Sequence, residues 1–509
     1  MQRLKKILTS RLLGIGILVV AQVLFLFLLI YQASLYYQIY PIFYVFGIVL
    51  VIYIINRQED PSYKIAWCIV ILIVPLFGGF LYLLCGGRKV PKKLHNGTTQ
   101  ASARMQHLLE QDAEALKRMD EGDPTIAKLF HYGMKSAGFP VYSHTESKYF
   151  SSGEEYFPVL AEELKKAEKF IFIEMFIIDE GYMWNTILEI LQQKVKEGVE
   201  VKLIYDDFGC AVTLPNHYDR KLNAMGIETY RFNHMRPALV VQMNNRDHRK
   251  IVVIDNKVGF TGGLNFADEY INRIVRFGYW KDSGIMIKGD AVRSLSVMFL
   301  GMYSYLKNDE DSIDYSRYCL DCAKEKGEGL VQPYSDTPTD GEDIGLSMHL
   351  NMVNHARRYL YIDTPYLIIN ADMQRALMLA VKNGVDVRIC TPHIPDKPIV
   401  FQITRSNYLP LIKAGIRIYE YTPGFNHAKN FVSDDELAIV GTVNTDYRSY
   451  YLHFEDGILL YDVPAVKKMK EDFLQSIAKG KEVTLDDCLN VNVFVRILRA
   501  ILNLMTPLV

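Results

Sequence analysis

Cysteine and net charge are both scarce in this chain of 509 residues. Seven cysteines, scattered and odd in number, do not form the disulfide framework of a small secreted scaffold. The 57 basic and 58 acidic side chains leave a net charge of −1, so no overall basic field favours a nucleic-acid partner. A hydrophobic fraction of 50% excludes a disordered protein. The length exceeds one ordinary core, so two or three domains are expected.

Charge is absent from two long stretches near the start of the chain. No charged residue occurs from Leu12 to Asn56 or from Ile65 to Gly87. One bilayer crossing requires ~20 apolar residues, so residues 1–95 are predicted to form a membrane anchor with two or three apolar segments that include transmembrane helices. A cleaved signal peptide is the alternative, but it would end at a small-residue cleavage site instead of continuing into further apolar sequence.

The orientation of this anchor is predicted from the basic residues on its two flanks. These residues are Arg3, Lys5, Lys6, Arg11, Arg88, Lys89, Lys92 and Lys93. Both flanks favour the cytoplasm, which requires an even number of crossings. One apolar segment would then fail to cross, and the candidates are Tyr40–Asn56 and Ile65–Gly87, which contain Pro41 and Pro75. The prediction is a multi-pass anchor with the remaining chain on the cytoplasmic face, and two or three crossings both remain open.

Residues 486–509 are predicted to form an amphipathic helix. Its apolar side chains recur at helical spacing, with Arg496, Arg499 and Asn503 away from the apolar face. The apolar positions are Val493, Phe494, Ile497, Leu498, Ile501, Leu502 and Met505. Two interpretations stay open: the helix docks on the body of the protein, or it lies in the membrane plane, where two arginines suit anionic headgroups.

An internal repeat organises the sequence beyond a polar connector at residues 96–135. Residues 167–174 match residues 356–363 at an offset of 189. Each unit consists of an apolar strand, a helix and a glycine before a second apolar strand, which is typical of α/β domains with buried sheets. Two fused copies of one α/β domain are therefore predicted, at residues 136–325 and 326–485.

The chemically informative residues occupy the same place in both copies. Each copy contains the pattern H-x-K, four residues, D, six residues, G, two residues and N. The residues that fit the pattern are His248, Lys250, Asp255, Gly262 and Asn265 in the first copy, and His427, Lys429, Asp434, Gly441 and Asn444 in the second. Because both matches fall inside the repeat, coincidence is excluded.

Residues two apart in a strand face the same side, so the histidine and lysine of each motif are predicted to project together. Fusion of two copies can bring both motifs to one pocket. Its imidazoles, ammonium groups and carboxamides suit a phosphoryl group, which one histidine would attack while the other protonates the leaving oxygen. A metal site is the rival interpretation, but a lysine between the ligands opposes a divalent cation. We therefore expect neither a metal nor another cofactor.

The doubled motif with its trailing G-[GST]-x-N resembles the phospholipase D superfamily. Together with the apolar N terminus, residues 205–209, residues 245–250 and the amphipathic C terminus, it makes the chain similar to bacterial cardiolipin synthases. The resemblance implies two fused phospholipase D-like α/β/α domains related by a pseudo-twofold axis. It also implies an enzyme of the bacterial cell membrane that joins two phosphatidylglycerol molecules and releases glycerol, with phospholipids and the membrane as partners and no nucleic acid. Nothing in the sequence indicates an oligomeric state.

The resemblance further implies a role for each motif residue. His248 would be the nucleophile that forms a phosphatidyl-histidine intermediate. His427 would protonate the leaving glycerol and later deprotonate the incoming hydroxyl. The phosphate oxygens would be bound by Lys250, Lys429, Asn265 and Asn444.

A carboxylate behind each histidine, which holds its tautomer, is another implication of the resemblance. Glu455 fits this role in the second copy, and Asp282 is the candidate in the first because position 276 is an arginine. Asp255 and Asp434 belong to the signature and are counted with the catalytic set. An aspartate five residues after the lysine, however, points to the opposite face of an unbroken strand, so we interpret both as structural.

Two weaker features and two rival functions remain. Cys319 and Cys322 form a lone C-x-x-C, which is interpreted as part of a surface connector. Basic residues at 231–236 and 246–250 would either attract anionic headgroups or face solvent. A phosphodiester hydrolase with water as the acceptor is the first rival function, because no residue visibly excludes water. A non-catalytic membrane protein is the second, and two intact motifs argue against it.

Overall fold

The computed structural model describes most of the chain from residue 40 onward. The described residues are 20, 21, 24, 27, 28, 31, 40–86, 90–234, 244–308, 314–319 and 325–506. The first predicted crossing, before Tyr40, therefore lies almost wholly outside the described residues.

Three short apolar helices begin the continuously described part. They are α1 (Tyr40–Ile55), α2 (Pro61–Ile73) and α3 (Pro75–Cys85). Pro75 opens α3 and separates it from α2, because a proline has no N–H to continue the preceding helix. A Cβ at Gly78 would lie 2.6 Å from the carbonyl oxygen of Val70, so the glycine lets α3 approach α2 closely.

The exterior of these helices is apolar as well as their interior. Their small core consists of Leu50, Ile54, Trp67, Ile71 and Tyr82. Large apolar side chains on the outside include Ile42, Val45, Val49, Ile52 and Ile73. Within the described ranges, none of the helices combines the length and the apolar character that a bilayer crossing needs. The predicted transmembrane helices are thus not shown in this part of the chain.

Three further helices occupy most of the predicted connector. They are α4 (Lys92–Met105), α5 (Ala113–Glu121) and α6 (Pro124–Lys135). Asp112 and Asp123 cap α5 and α6: the carboxylate of Asp112 accepts two backbone N–H groups of the first turn, and that of Asp123 accepts one. The segment 96–135 is therefore mainly helical.

The first half is built on a seven-stranded sheet. Its strands are β1 (Thr145–Phe150), β2 (Phe170–Met175), β3 (Glu200–Asp206), β4 (Glu228–Phe232), β6 (Lys250–Ile254), β7 (Val258–Gly262) and β9 (Gly284–Gly289), with β5 (Arg246–Asp247) and β8 (Tyr279–Lys281) outside it. Its helices are α7 (Gly153–Lys165), α8 (Tyr182–Lys196), α9 (Tyr218–Ala224) and α10 (Val292–Lys307). The strand order is β1-β9-β7-β6-β2-β3-β4, and β2, β3 and β4 are parallel.

The second half repeats this order with one added strand. Its strands are β10 (Leu330–Asp336), β11 (Tyr359–Asp363), β12 (Asp386–Pro392), β13 (Arg417–Tyr421), β14 (Gly424–Asn426), β15 (Asn430–Ser433), β16 (Leu437–Gly441), β17 (His453–Tyr461) and β18 (Lys481–Glu482). Its helices are α11 (Ile344–His355), α12 (Ala371–Lys382), α13 (Pro398–Ser406), α14 (Tyr408–Ala414), α15 (Tyr447–Tyr451) and α16 (Pro464–Ala478), followed by α17 (Leu485–Leu489) and α18 (Val493–Met505). The sheet order is β10-β17-β16-β15-β11-β12-β13-β18. The predicted pair of α/β halves is confirmed.

The strand–helix–glycine–strand unit is present in both halves. Gly198 lies between α8 and β3 with φ +89°, and Gly384 lies between α12 and β12 with φ +94°. Glycine adopts this left-handed backbone without steric cost, and it ends the helix so that the chain can return to the sheet. The strands β2 and β11 are fully buried because helices cover the sheets.

Two short strand pairs join the halves reciprocally. β5 of the first half pairs with β17 of the second, with Asp247 opposite Phe454. β14 of the second half pairs with β8 of the first, with Asn426 opposite Lys281. Because each half lends the same short strand to the other, the contacts are those that a pseudo-twofold axis would produce.

The helices before and after the two α/β halves pack on helices of those halves. α4 packs on α10 of the first half, and α6 packs on α11 of the second. The C-terminal helix α18 packs on α13 and α2, while its apolar side chains Phe494 and Ile501 remain exposed. The helix therefore docks on the body of the protein and keeps an apolar face outward, while its position in the membrane plane stays a prediction.

Candidate active site

Each H-x-K motif lies where the chain leaves the strand shared with the other half and enters its own sheet. His248 follows β5 and Lys250 begins β6, while His427 and Lys429 lie between β14 and β15. The prediction that each motif lies within a continuous strand is therefore wrong. The apolar residues that follow are buried strand residues, as expected.

The backbone fixes both histidines by equivalent contacts with the opposite half. The N–H of His248 donates to the carbonyl oxygen of Phe454 at 2.9 Å. The N–H of His427 donates to the carbonyl oxygen of Lys281 at 2.6 Å. Phe454 and Lys281 each directly precede one of the two predicted carboxylates, so these bonds bring the carboxylates to the histidines.

Each histidine is paired with a carboxylate from the other half. Nδ1 of His248 lies 2.8 Å from Oε2 of Glu455, and Nδ1 of His427 lies 2.7 Å from Oδ2 of Asp282. The sequence identified both carboxylates but assigned each to the histidine of its own copy, and that assignment is wrong. The crossing arises because β5 pairs with β17 and β14 pairs with β8. With Nδ1 held, Nε2 of each imidazole is left for chemistry.

Small residues after the motifs support the two carboxylates differently. Oγ1 of Thr442 donates to Oε2 of Glu455 at 2.5 Å. Gly263 holds the equivalent position, where a Cβ would lie 2.0 Å from Oδ1 of Asp282. Asp282 instead accepts the backbone N–H of Ser283 at 2.8 Å. A hydroxyl therefore stabilises one carboxylate, and the absence of a side chain makes room for the other.

Both motif lysines are buried beside the histidines. Nζ of Lys250 donates to the carbonyl oxygen of His248 at 2.6 Å, and Lys429 makes the same contact with His427. Burial lowers the pKa of Lys250 to about 8 and that of Lys429 to about 7. The charge of Lys250 adds to the lowering at Lys429, which shows that the two motifs share one electrostatic environment.

Both histidines have lowered pKa values. Burial lowers the pKa of His248 to about 3, against the opposing influence of Glu455. Burial, reinforced by the charge of Lys429, lowers the pKa of His427 to about 4. Glu455 has its pKa held well below the usual range by its contacts with His248, although burial alone would raise it. At neutral pH the centre thus combines two imidazoles, two carboxylates and two ammonium groups poised to titrate.

The two signature asparagines have different surroundings. Oδ1 of Asn265 accepts the backbone N–H of Ile177, and its Nδ2 donates to the hydroxyl of Tyr270 at 2.6 Å. Asn444 is also buried, and among the described residues its Oδ1 has no hydrogen-bond partner. Asn265 is therefore engaged with the protein at both ends of its amide, whereas Oδ1 of Asn444 keeps its capacity to accept a hydrogen bond.

The two signature aspartates lie outside the catalytic centre. Asp255 ends its strand with φ +53° and accepts hydrogen bonds from the backbone N–H groups of residues 168–170. Asp434, with φ +59°, does the same for residues 357–359. Their inclusion in the catalytic set is corrected: each fastens the turn after a motif strand to the start of the neighbouring strand. Their structural interpretation is confirmed.

Two aromatic rings beside the histidines were missed by the sequence analysis. Trp280 precedes Asp282 by two residues and packs on His427, with ring centroids 5.3 Å apart. His453 precedes Glu455 by two residues and packs on His248, with ring centroids 5.6 Å apart. The equal spacing to the carboxylates was the available signal, because alternate strand residues share a face.

One group of site residues has the ligand chemistry of a metal site. Ligand atoms of His248, His453 and Glu455 all lie within 4.8 Å of one another. Imidazole and carboxylate groups can coordinate a transition metal, but the ammonium of Lys250 lies close enough to lower the pKa of His248 and opposes a second cation. The residues present therefore favour an anionic ligand.

Of the weaker sequence features, Cys319, Arg231 and Arg246 make contacts of their own. Cys319 is buried, and Cys322 lies outside the described residues. Arg231 pairs with Asp207 and Asp219, and residues 235 and 236 also lie outside the described residues. Arg246 lies 4.6 Å from the ring centre of Phe208.

Comparisons with known proteins place these observations in a family. The profile described as "Cardiolipin synthase, PLD-like domain" matches residues 160–276 and 350–477, one match in each half. A profile described as "Phospholipase D-nuclease N-terminal" matches residues 43–87, which contain most of α1 and all of α2 and α3.

Curated relatives match over most of the chain. A cardiolipin synthase of Alkalihalophilus pseudofirmus is 32% identical over 90% of this chain and 91% of that protein. A cardiolipin synthase of Geobacillus kaustophilus is 34% identical over 91% of each. An uncharacterized protein of Streptococcus mutans is 41% identical over 90% of this chain and 99% of its own length.

A solved structure shares the fold. The phosphatidylserine synthase of Haemophilus influenzae aligns with a TM-score of 0.56 over 74% of this chain and 97% of that chain, at 15% identity. At this identity the similarity is one of fold alone.

Proposed function

The chain belongs to the family of cardiolipin synthases with phospholipase D-like domains, and we propose from this premise that it joins two phosphatidylglycerol molecules into cardiolipin and glycerol. The observation that carries the proposal is the crossed pair of histidine–carboxylate contacts at one centre. Two equivalent imidazoles, each held at Nδ1, can act on opposite sides of one phosphorus atom.

In the first step, Nε2 of His248 attacks the phosphorus of a donor phosphatidylglycerol. A P–N bond forms, the P–O bond to the headgroup glycerol breaks, and the glycerol oxygen takes a proton from His427. In the second step, the hydroxyl of an acceptor phosphatidylglycerol transfers its proton to His427 while its oxygen attacks phosphorus. The P–N bond breaks, so both histidines return to their starting states.

His427 must become protonated when the substrate binds. Burial lowers the pKa of His427 to about 4, so the imidazole is neutral at pH 7. A bound phosphate contributes a negative charge beside it, which favours the protonated form. The anionic substrate thus creates the general acid that its own cleavage requires.

The phosphate oxygens are bound by the lysines and by Asn444 in this proposal. Lys250 and Lys429 are buried, and anion binding would return their lowered pKa values toward the ordinary range. Asn265 supports Tyr270, whose ring lies 5.6 Å from that of His427. We therefore assign Asn265 an indirect contribution, through the packing of His427.

The apolar N-terminal helices anchor the catalytic halves to the membrane in this proposal. The exposed side chains of Ile42, Val45 and Ile73 would be unfavourable in water and suit contact with lipid. We assign the catalytic halves to the cytoplasmic face of a multi-pass anchor. In inside-out vesicles a protease should reach them, and protection of both halves there would contradict this orientation.

A product analysis tests the proposed reaction. Purified full-length protein is incubated with mixed micelles that contain phosphatidylglycerol, with a chelator in a parallel reaction. Equal amounts of cardiolipin and glycerol, unchanged by the chelator and absent in His248→Ala, are expected. Phosphatidic acid as the main product would instead establish the alternative, phosphodiester hydrolysis with water as the acceptor.

A further inference from the structure

The surroundings of the two histidines differ at one equivalent position. His453 lies beside His248 at the place where Trp280 lies beside His427, and both rings are tilted against their histidine, at 43° and 52°. The indole of Trp280 is a permanent donor, and its Nε1 lies 3.4 Å from Oδ2 of Asp282. The imidazole of His453 can instead donate, accept or gain a proton.

His453 is nearly buried, but the hydrogen-bonding capacity of its ring nitrogens is not satisfied. Its side chain is 11% exposed, and Nδ1 lies 3.5 Å from Oε1 of Glu455. Among the described residues, neither ring nitrogen has a hydrogen-bond partner. Burying a polar group without a partner costs stability, so the position is unlike that of an ordinary packed ring.

Glu455 connects His453 to the catalytic histidine. Nδ1 of His248 lies 2.8 Å from Oε2 and 3.0 Å from Oε1 of Glu455. Oε2 also accepts the hydroxyl of Thr442, and Oε1 lies 3.5 Å from Nδ1 of His453. A donor at Oε1 stabilises the anionic carboxylate and makes it a weaker base toward the Nδ1–H of His248. We propose, on the basis of the function proposed above, that His453 is a positioning residue that acts through Glu455 to keep His248 neutral and correctly oriented for attack.

The charged groups around this pair are consistent with that role. His248 is faced by Glu455, by Lys250 and by His453, and the ring of Phe176 packs on it with centroids 4.8 Å apart. Arg246 stands opposite His453 in the register of β5 and β17. Burial is the largest cause of the lowered pKa of His248, and the electrostatic effects of Lys250 and His453 lower it further.

The test compares three variants of the full-length protein with the parent in the phosphatidylglycerol micelle assay across pH. His453→Phe keeps a packed ring and removes the nitrogen. It should lower kcat about tenfold, leave KM within about twofold, and move the acid limb of kcat/KM upward by roughly half a pH unit or more. The acid limb moves upward because Glu455, without the imidazole 3.5 Å from its Oε1, becomes a stronger base toward the proton of His248, and attack requires neutral His248.

Two matched variants separate positioning from packing. His453→Asn returns an N–H donor in a smaller side chain and should restore most of kcat and the parent acid limb. Trp280→Phe removes the donor of the other half and should leave the acid limb in place, because it acts on Asp282 and His427. Thermal unfolding of each variant checks that the fold is intact.

Two outcomes would overturn the inference. An unchanged kcat in His453→Phe would show that the imidazole has no part in the reaction. A lower kcat with the acid limb unmoved, or no rescue by His453→Asn, would show that the ring only packs. Failure of the proposed function is detected separately, from the product of the parent protein. If the parent protein releases phosphatidic acid rather than cardiolipin, the acid limbs of the variants can still be compared and still test the role of His453.

Discussion

The neighbourhoods of His248 and His427 are built by the same backbone and filled by different side chains. Both histidines follow a strand shared with the other half, and both are held at Nδ1 by a carboxylate from that half. Around His248 the supporting groups are Thr442 and His453, and around His427 they are Gly263 and Trp280. The repeat supplies the geometry, and substitutions on it can give the two imidazoles different tasks.

The two halves also differ at the position of a buried arginine, Arg249. In the first half, Arg249 contacts Glu174 at 2.6 Å. The equivalent positions in the second half are Ala428 and Asp363, and Asp363 instead accepts a hydrogen bond from Asn426. The charge of Lys281, which belongs to the first half, lowers the pKa of Asp363 against the dominant effect of burial, which raises it to about 6. The cation near Asp363 of the second half is therefore a lysine of the first half.

The largest expected effect comes from removing either histidine. His248→Ala and His427→Ala should each lower kcat by about 10⁴-fold or more, because members of one catalytic unit do not act independently. Product formation from phosphatidylglycerol micelles measures the loss. Substantial activity in either variant would mean that the halves contain separate centres.

The next effect tests the crossing of the carboxylates. Glu455→Gln and Asp282→Asn should each lower kcat by about 10³-fold, since an amide no longer holds the reactive tautomer. Glu455→Gln should slow formation of the phosphatidyl-enzyme, because Glu455 holds His248. Asp282→Asn should slow both leaving-group protonation and acceptor attack. If Glu455→Gln instead slowed acceptor attack and left formation of the phosphatidyl-His248 intermediate normal, Glu455 would act on His427 of its own copy, and the crossed pairing would be contradicted.

The pKa values of the two motif lysines predict how kcat/KM falls at alkaline pH. Burial places the pKa of Lys429 at about 7 and that of Lys250 at about 8, so both ammonium groups are lost as the pH rises through these values. Anion binding weakens accordingly, and kcat/KM should fall about a hundredfold between about pH 7 and pH 9. Lys429→Arg keeps its charge and should flatten this limb, although at a lower maximum. A limb unchanged in Lys429→Arg would mean that another group titrates.

The smallest effects probe the supports of the two carboxylates. Gly263→Ala places a Cβ against Asp282 and should lower kcat about tenfold by displacing it. Thr442→Val keeps the shape but removes the donor to Glu455, and should lower kcat only several-fold. Equal losses in the two variants, measured with the same micelles, would show that the two supports are equivalent after all.

The sequence predicts the local pattern of this molecule better than its long-range contacts. The repeat and the strand–helix–glycine units are visible because hydrophobic periodicity and glycine placement are local signals. The structural role of Asp255 follows from the same kind of reasoning, since the parity of positions along a strand fixes the side to which a residue points.

The contacts between the halves could not be predicted from local sequence patterns. Glu455 could be recognised as a candidate, yet its pairing with His248 depends on β5 joining β17, a contact between residues 207 positions apart. His453 was missed because a lone histidine in an apolar strand is usually core, and only the position of Trp280 in the other half gives it meaning.

The measurement that tests the central claim most directly is the identification of the phosphatidylated residue. Full-length protein mixed with phosphatidylglycerol is quenched within the first turnover, digested, and its peptides are mapped by mass spectrometry. A phosphatidyl group is expected on the peptide that contains His248, formed more slowly in Glu455→Gln and absent in His248→Ala. A phosphatidyl group on the His427 peptide, or on neither histidine during active turnover, would contradict it.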